Sequence, residues 1–373
     1  PWGYPSSKIK IMKHGENGTK IAFLSRHGVG HTLNPSEIPS RANIAALKHL
    51  GAKVIIAYSA VGSLQQEIKP RDFVIPSQII DRTKGIRPST FFENGIAAHA
   101  MFGDPFNAEL TNIIWSARES IFGDNNNKSD VDGVNVEMHK DKTLICMEGP
   151  QFSTRAESRL YRSWGCDVIN MSALPEAKLA REAEIAYQMI CMSTDYDSWR
   201  EEVGVVTVDV VVNNIQKNSE NAKKLLSAIL PGIERALDEG KFEEIVGTMK
   251  FSSITSQSMR NPETLKKLEY ILPGLKFSSF FAYPIFLIFL IIILLSPQPP
   301  KKFFIKDGGA KLEEQRISVL KPPEIISLGK EPDKLQAHDN SNDEATKTRI
   351  MMSGSLKLGE NSYDLWFWRA GSW

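Results

Sequence analysis

The sequence predicts an α/β protein whose core is a parallel or mixed sheet. Two observations carry this. Short apolar runs rich in β-branched residues alternate with stretches of helical spacing from Pro1 to about Gly274. Polar and charged residues gather where those apolar runs end, which is where open α/β sheets present their ligand sites. No internal repeat interrupts the alternation.

The elements follow in order. Ile21 to Leu24 is a short strand, and Ser40 to Leu50 a helix on the spacing Ala42, Ala46, Leu47, Leu50, stopped by Gly51. Lys53 to Ala60 and Phe73 to Ile80 read as buried strands. Pro105 to Phe122 reads as a helix, and Gly123 to Gly133 as a polar loop rich in Asn and Asp. Thr143 to Met147 is a strand. Arg155 to Trp164 is a helix opened by the Thr154–Glu157 capping-box pair. Asp167 to Met171 is a strand, Pro175 to Glu184 a helix and Ile185 to Thr194 a strand. Ser219 to Leu237 is an amphipathic helix with Pro231 inside it and Gly240 beyond its end.

Composition narrows the function. The 373 residues suffice for one large domain plus an appendage, and the net charge of +1 gives no field that would draw nucleic acid. No basic stripe with interleaved aromatics is present. Three widely spaced cysteines fit neither a zinc site nor a redox pair, and imply a reducing compartment. No signal peptide opens the chain. Glycine-rich dinucleotide, Walker A and G-x-S-x-G patterns are absent.

Five strand ends carry the chemistry. Ser25-Arg26-His27-Gly28-Val29-Gly30-His31 offers a guanidinium fork and an imidazole beside glycines that admit an anion to the backbone. A metal on His27 and His31 would need a helix, which the glycines oppose; a structural loop with a surface Arg is the plainer reading. Tyr58 to Leu64 offers the Ser59 hydroxyl among small residues, or else a tight turn at Gly62. Glu148 to Ser158 places Phe152 either to stack on a base or to pack under the helix. Asn170 and Ser172 are ligand groups or caps of the next helix. Asp195-Tyr196-Asp197-Ser198-Trp199 is the most informative stretch. Two carboxylates in an aromatic setting can accept from a base's N–H groups and, with raised pKa, share a proton with a ring nitrogen; capping or a solvated turn is the alternative. Together these features point to phosphate-dependent cleavage of an adenine nucleoside.

Across these motifs the chain resembles the S-methyl-5′-thioadenosine phosphorylases of the purine nucleoside phosphorylase superfamily. The resemblance spans Pro1 to about Gly274 and rests on SRHG at 25–28, EGPQFSTRAES at 148–158, WGCDVINMS at 164–172, PEAKLAREA at 175–183 and STDYDSW at 193–199, in the family's order. It implies a three-layer nucleoside-phosphorylase fold around a mixed, twisted sheet. It implies phosphate on Arg26, His27, Ser59, Ala60 and Ser172, and ribose against Met171. It further implies adenine between Asp195, Asp197 and Phe152, with Asp195 as the catalytic acid at N7. Ser153 and Val208 would tune substrate choice, and His99 would reach a neighbouring subunit's pocket in a homotrimer. Adenine and 5-methylthioribose 1-phosphate would be the products, in purine and methionine salvage. Inorganic phosphate is the co-substrate, with no metal or organic cofactor, and the setting is cytoplasmic and nuclear. The alternatives are a purine nucleoside phosphorylase acting on inosine or guanosine, and a non-catalytic membrane-tethered derivative.

Two departures from the family stand out. Pro1 lies beyond the strand and glycine-rich turn with which the family opens, so one phosphate contact is expected to be missing. After Gly274 the resemblance ends: residues 275–300 are an apolar segment and 301–373 a polar tail of low order. The apolar run reaches membrane-spanning length only over 277–296. An anchor, a buried helix and sequence translated from outside the gene's true exons are the three readings.

Overall fold

The computed structural model describes residues 1–15, 19–123, 134–200 and 207–274, and two strands at 351–358 and 361–368. The chain divides into two units, Pro1–Ala282 and Tyr283–Trp373, close to the compositional break at Gly274.

The first unit opens with an antiparallel hairpin, β1 (Lys10–His14) on β2 (Thr19–Phe23). Its centre is a mixed sheet that curls until it closes, in the order β3 (Val54–Ser63), β6 (Val168–Asn170), β5 (Met138–Met147), β4 (Phe73–Arg82), β7 (Ala186–Tyr196) and back to β3. β3 runs parallel to β7 along its whole length, and meets β6 only at Gly62 and Ser63. β7 explains the layering. Along it Tyr187, Met189 and Cys191 face one core, and Ala186, Ile190 and Met192 face the other. A strand buried on both faces is what helices on both sides of a sheet require. The first core packs α1 (Ser40–His49), α5 (Glu176–Glu182) and α7 (Pro262–Glu269) against the sheet. The second packs α2 (Ala108–Ser116), α3 (Arg118–Phe122) and α6 (Val208–Asp238). A third, small cluster of Leu64, Ile145, Tyr161, Cys166 and Ile169 seats α4 (Arg155–Ser163).

The expected α/β architecture is present, with differences in detail. The helix expected over Pro105 to Phe122 starts at Ala108, where the Asn107 side chain caps Leu110 N–H, and divides at Ala117. α6 starts eleven residues before Ser219. Val208, Val210, Val211 and Val212 are poor helix formers, so their helix is held by context rather than propensity. It also continues through Pro231. The Thr154–Glu157 capping box forms as expected. β1, exposed along most of its length, and α7 were not foreseen; Asn261 and Pro262, cap and first helical residue, are the signal for α7.

Residues 124–133, most of the polar loop, lie outside the described residues, as do the apolar segment and 277–296. Among the described residues no helix is long and apolar enough to cross a membrane. In the second unit β8 (Met351–Leu358) pairs antiparallel with β9 (Asn361–Trp368), where low order was expected. The Tyr363 to Trp368 stretch is rich in aromatics, the residue types that favour strands.

Candidate active site

The site is assembled along β3. Ser59 is buried in this strand and its hydroxyl accepts a hydrogen bond from Asn170 Nδ2 (3.1 Å), which ties β3 to the end of β6. Three residues further on, Gly62 faces the aspartates. A Cβ on Gly62 would lie 3.1 Å from Ile169 Cγ2, 3.2 Å from Asp195 Oδ2 and 3.4 Å from Asp197 Cβ. Gly62 therefore sits inside the strand, at a bulge, and is needed for close approach rather than for a tight turn. At a strand rise of 3.3 Å per residue, Ser59 and Gly62 lie about 10 Å apart. β3 thus carries the Ser59 hydroxyl at its middle and, at Gly62 near its end, meets the carboxylates that end β7.

The carboxylate end is dry. Asp195 is 7% and Asp197 3% exposed. Burial pushes Asp195 up to about 6; the hydrogen bond donated by Thr194 Oγ1 (2.7 Å) opposes the rise and the charge of Asp197 adds to it. Burial also raises Asp197, against the Ser158 hydroxyl, the Ser198 N–H and the Ser153 hydroxyl. Asp197 Oδ2 is buried without a hydrogen-bond partner among the described residues. A buried, unsatisfied carboxylate oxygen is costly in isolation and suits a ligand's N–H. The loop after β7 is fixed by Trp199 Nε1 donating to Ser63 O (2.9 Å), by Ser198 Oγ donating to Ser153 O (2.8 Å) and by Arg162 stacked 3.6 Å over the Trp199 ring. Ser153 is thereby held beside Asp197. Phe152 is 41% exposed, so it does not pack under α4 as a staple.

The basic end differs from expectation. Arg26 donates from Nε and Nη2 to both oxygens of Glu176 (2.6 and 2.8 Å), and from Nη1 to Tyr58 O (3.1 Å). Tyr187 Oη donates to the same Glu176 (2.9 Å). Burial disfavours the charged guanidinium, yet Glu176 outweighs it and Arg26 stays fully cationic. The fork is thus committed to Glu176, leaving only its outer N–H groups for an anion. His27 stacks on His31 with ring centroids 4.2 Å apart. Its Nδ1 lies 2.9 Å from Leu33 O, which can only accept, so Nδ1 carries the proton. Burial, helped by His31 and Arg26, pulls the His27 pKa down against that bond. The neutral ring therefore presents an Nε2 lone pair, an acceptor rather than a donor.

Met171 and Ser172 follow Asn170, whose side chain reaches Ser59; Ser172 is buried. Gly149, at φ +66°, gives room to Met171, whose Sδ lies 2.3 Å from where a Cβ would stand. Ala60 is half-buried next to Ser59. His99 and Val208 are not drawn in. His99 is exposed, with its N–H on Ser252 O (2.9 Å), and Val208 is 65% exposed at the start of α6. A cavity of about 830 Å³ meets Arg26 and His27 but runs back between β3 and α6, past Ile56 and Ile233, and reaches neither aspartate. Among the described residues no group of three or more His, Cys, Asp or Glu could hold a metal ion. Glu176, Tyr187, Glu148 and Arg87 escaped the sequence reading as site residues. Glu176 opens the helix after Pro175, and an acid directly after strand-end ligands was the available signal.

A closed mixed sheet with helices on both faces, paired buried acids at one strand end and an Arg–His loop at another define a phosphorylase-type nucleoside site. Comparison supports this class: the Phosphorylase superfamily model matches residues 4–231. The S-methyl-5′-thioadenosine phosphorylase of Candida albicans is 58% identical over 285 residues, 74% of this chain and 80% of that one. That of Tuber melanosporum is 55% identical over 276 residues, 74% and 86% of the two chains. Among solved structures, a methylthioadenosine phosphorylase from an antarctic soil metagenomic library shares 40% identity at TM-score 0.62, covering 73% of this chain and 90% of that one. The Schistosoma mansoni enzyme in complex with adenine shares 31% identity at TM-score 0.61, covering 70% and 90%. The chain belongs to the S-methyl-5′-thioadenosine phosphorylase family of the phosphorylase superfamily.

Proposed function

We propose that the chain cleaves S-methyl-5′-thioadenosine with inorganic phosphate, giving adenine and 5-methylthioribose 1-phosphate, as a pentosyltransferase. The observation that carries this is the dry aspartate pair. Asp195 at about 6 holds a proton in a useful fraction of molecules near neutral pH and can share it with N7 of the leaving base. Asp197, with its free Oδ2, accepts from the exocyclic amine of adenine. A 6-oxopurine presents a carbonyl there instead, so inosine and guanosine are disfavoured.

The rest of the reaction follows from charge. As the glycosidic bond stretches, the ribose gains oxocarbenium character and the base gains negative charge, which the Asp195 proton meets. Acid catalysis of this kind is worth about 10²–10⁴-fold. Phosphate sits two to three residues back along β3 from Gly62, on the outer N–H groups of Arg26 and the hydroxyls of Ser59 and Ser172, with Ala60 closing the site. His27 Nε2 accepts from a protonated phosphate oxygen. Met171 lines the ribose, Phe152 lies over the base, and Ser153, held beside Asp197, tunes substrate choice. Holding both partners in line supplies much of the remaining rate. Phosphate is a substrate here, and the reaction as written uses no cofactor.

We further propose a homotrimer in which His99 reaches a partner's 5′ pocket. Exposed Met101 and Ile254 near His99 in sequence or through the Ala98–Ser253 bridge supply apolar surface for such an interface. Light scattering giving a monomer mass would refute the trimer. Adenine release from S-methyl-5′-thioadenosine, measured with and without phosphate, tests the function. Release from inosine but not from the methylthio substrate would overturn it.

A further inference from the structure

We propose that Arg87 is the positioning residue of this site, setting the Met171–Ser172 loop at the height that phosphate binding requires; the proposal rests on the roles assigned above to Met171 and Ser172. β6 is only three residues long, so little sheet holds the loop that follows it. Arg87 supplies what the strand lacks. Its side chain is 4% exposed and its guanidinium is spread over five acceptors. Nη1 donates to Met171 O (2.6 Å) and to Leu174 O (2.7 Å). Nη2 donates to Glu148 O (2.5 Å), and Nε to Glu148 Oε1 (2.5 Å) and Ser36 Oγ (3.2 Å).

Those acceptors lie on three segments that each carry part of the site. Ser36 follows the Arg26–His31 loop. Glu148 follows β5 directly, four residues before Phe152. Met171 to Leu174 join β6 to α5. Glu148 is occupied in turn: Ser36 Oγ also donates to Oε1, and the Lys84 N–H donates to Oε2 (2.6 Å). With every described contact directed into the protein, neither Arg87 nor Glu148 is aimed at a ligand. Burial works against the charged Glu148, but Ser36, Lys84 and Arg87 hold its pKa below the ordinary value, so the carboxylate stays ionised. A planar fork can meet five acceptors at once, whereas lysine, a point charge with three donors, cannot.

The test varies phosphate and S-methyl-5′-thioadenosine independently on the wild-type chain and on R87A, R87K and S36A. We expect R87A to raise the KM for phosphate at least tenfold, with a smaller change in kcat. R87K should fall between R87A and wild type, and S36A should raise the KM about two- to threefold. Added guanidinium ion at millimolar concentration should lower the phosphate KM of R87A and leave wild type unchanged. A merely structural role would lower the folded fraction, and so kcat, with the phosphate KM unmoved; that result overturns the proposal. If R87A does not fold, wild-type phosphate KM in both R87K and S36A overturns it equally. Failure of the wild-type chain to release adenine with phosphate would sink the function itself, and is seen before any variant is compared.

Discussion

Replacing Asp195 with Asn should slow the enzyme and stabilise the fold, and the size of the second effect follows from the site. The folded carboxyl titrates at about 6 against an ordinary 3.8. Between those values the folded chain holds more protons than the unfolded one, so stability falls as pH rises through that window. At 1.36 kcal/mol per pH unit, the charged carboxylate costs the fold about 3 kcal/mol above pH 7. At pH 5 most of the folded population is still protonated, and the cost is about 1.5 kcal/mol. Asparagine does not ionise, and its amide oxygen can still accept from Thr194 Oγ1, so it escapes the penalty and leaves the strand end intact. Urea denaturation of both proteins from pH 5 to pH 8 should show the variant's advantage growing by about 1.5 kcal/mol. Its kcat should fall about 10²–10⁴-fold. A stability difference that is flat with pH, or a variant that is less stable throughout, would refute the claim that burial of this carboxylate tunes it for acid catalysis.

Other perturbations separate the base and phosphate sides of the site. Gly62→Ala should lower kcat/KM at least tenfold and cost about 1–3 kcal/mol, because the new methyl meets Ile169 and both aspartates; steady-state kinetics with a thermal melt would show it. Glu176→Gln should destabilise by about 3–5 kcal/mol, since it strands the buried Arg26 charge, and denaturant titration reads this directly. If Asp195 reads the base, Asp195→Asn should also shift preference towards 6-oxopurines, checked by competing the two substrate classes; unchanged preference would remove it from that role.

The sequence showed what local patterning controls. β7 was visible because a strand buried on both faces is apolar from Ile185 to Met192 at every position but Gln188. α4 was visible because Thr154 and Glu157 are a local pair. The aspartates stood out because two acids directly after such a strand are costly without a purpose. What escaped depends on contacts distant in sequence. Arg26 binds Glu176 across 150 residues and Arg87 binds Glu148 across 61, so neither pair leaves a periodic trace. The His27 tautomer depends on one carbonyl at Leu33. The early start of α6 reverses local propensity at Val208 to Val212. Gly62 was noticed for the wrong reason: turn chemistry is local, whereas close approach between strands is not.

The most direct test is adenine release by the purified chain from S-methyl-5′-thioadenosine, followed with and without inorganic phosphate. Release is expected to require phosphate, with 5-methylthioribose 1-phosphate formed mole for mole. Release at the same rate without phosphate, or no release at all, would contradict it.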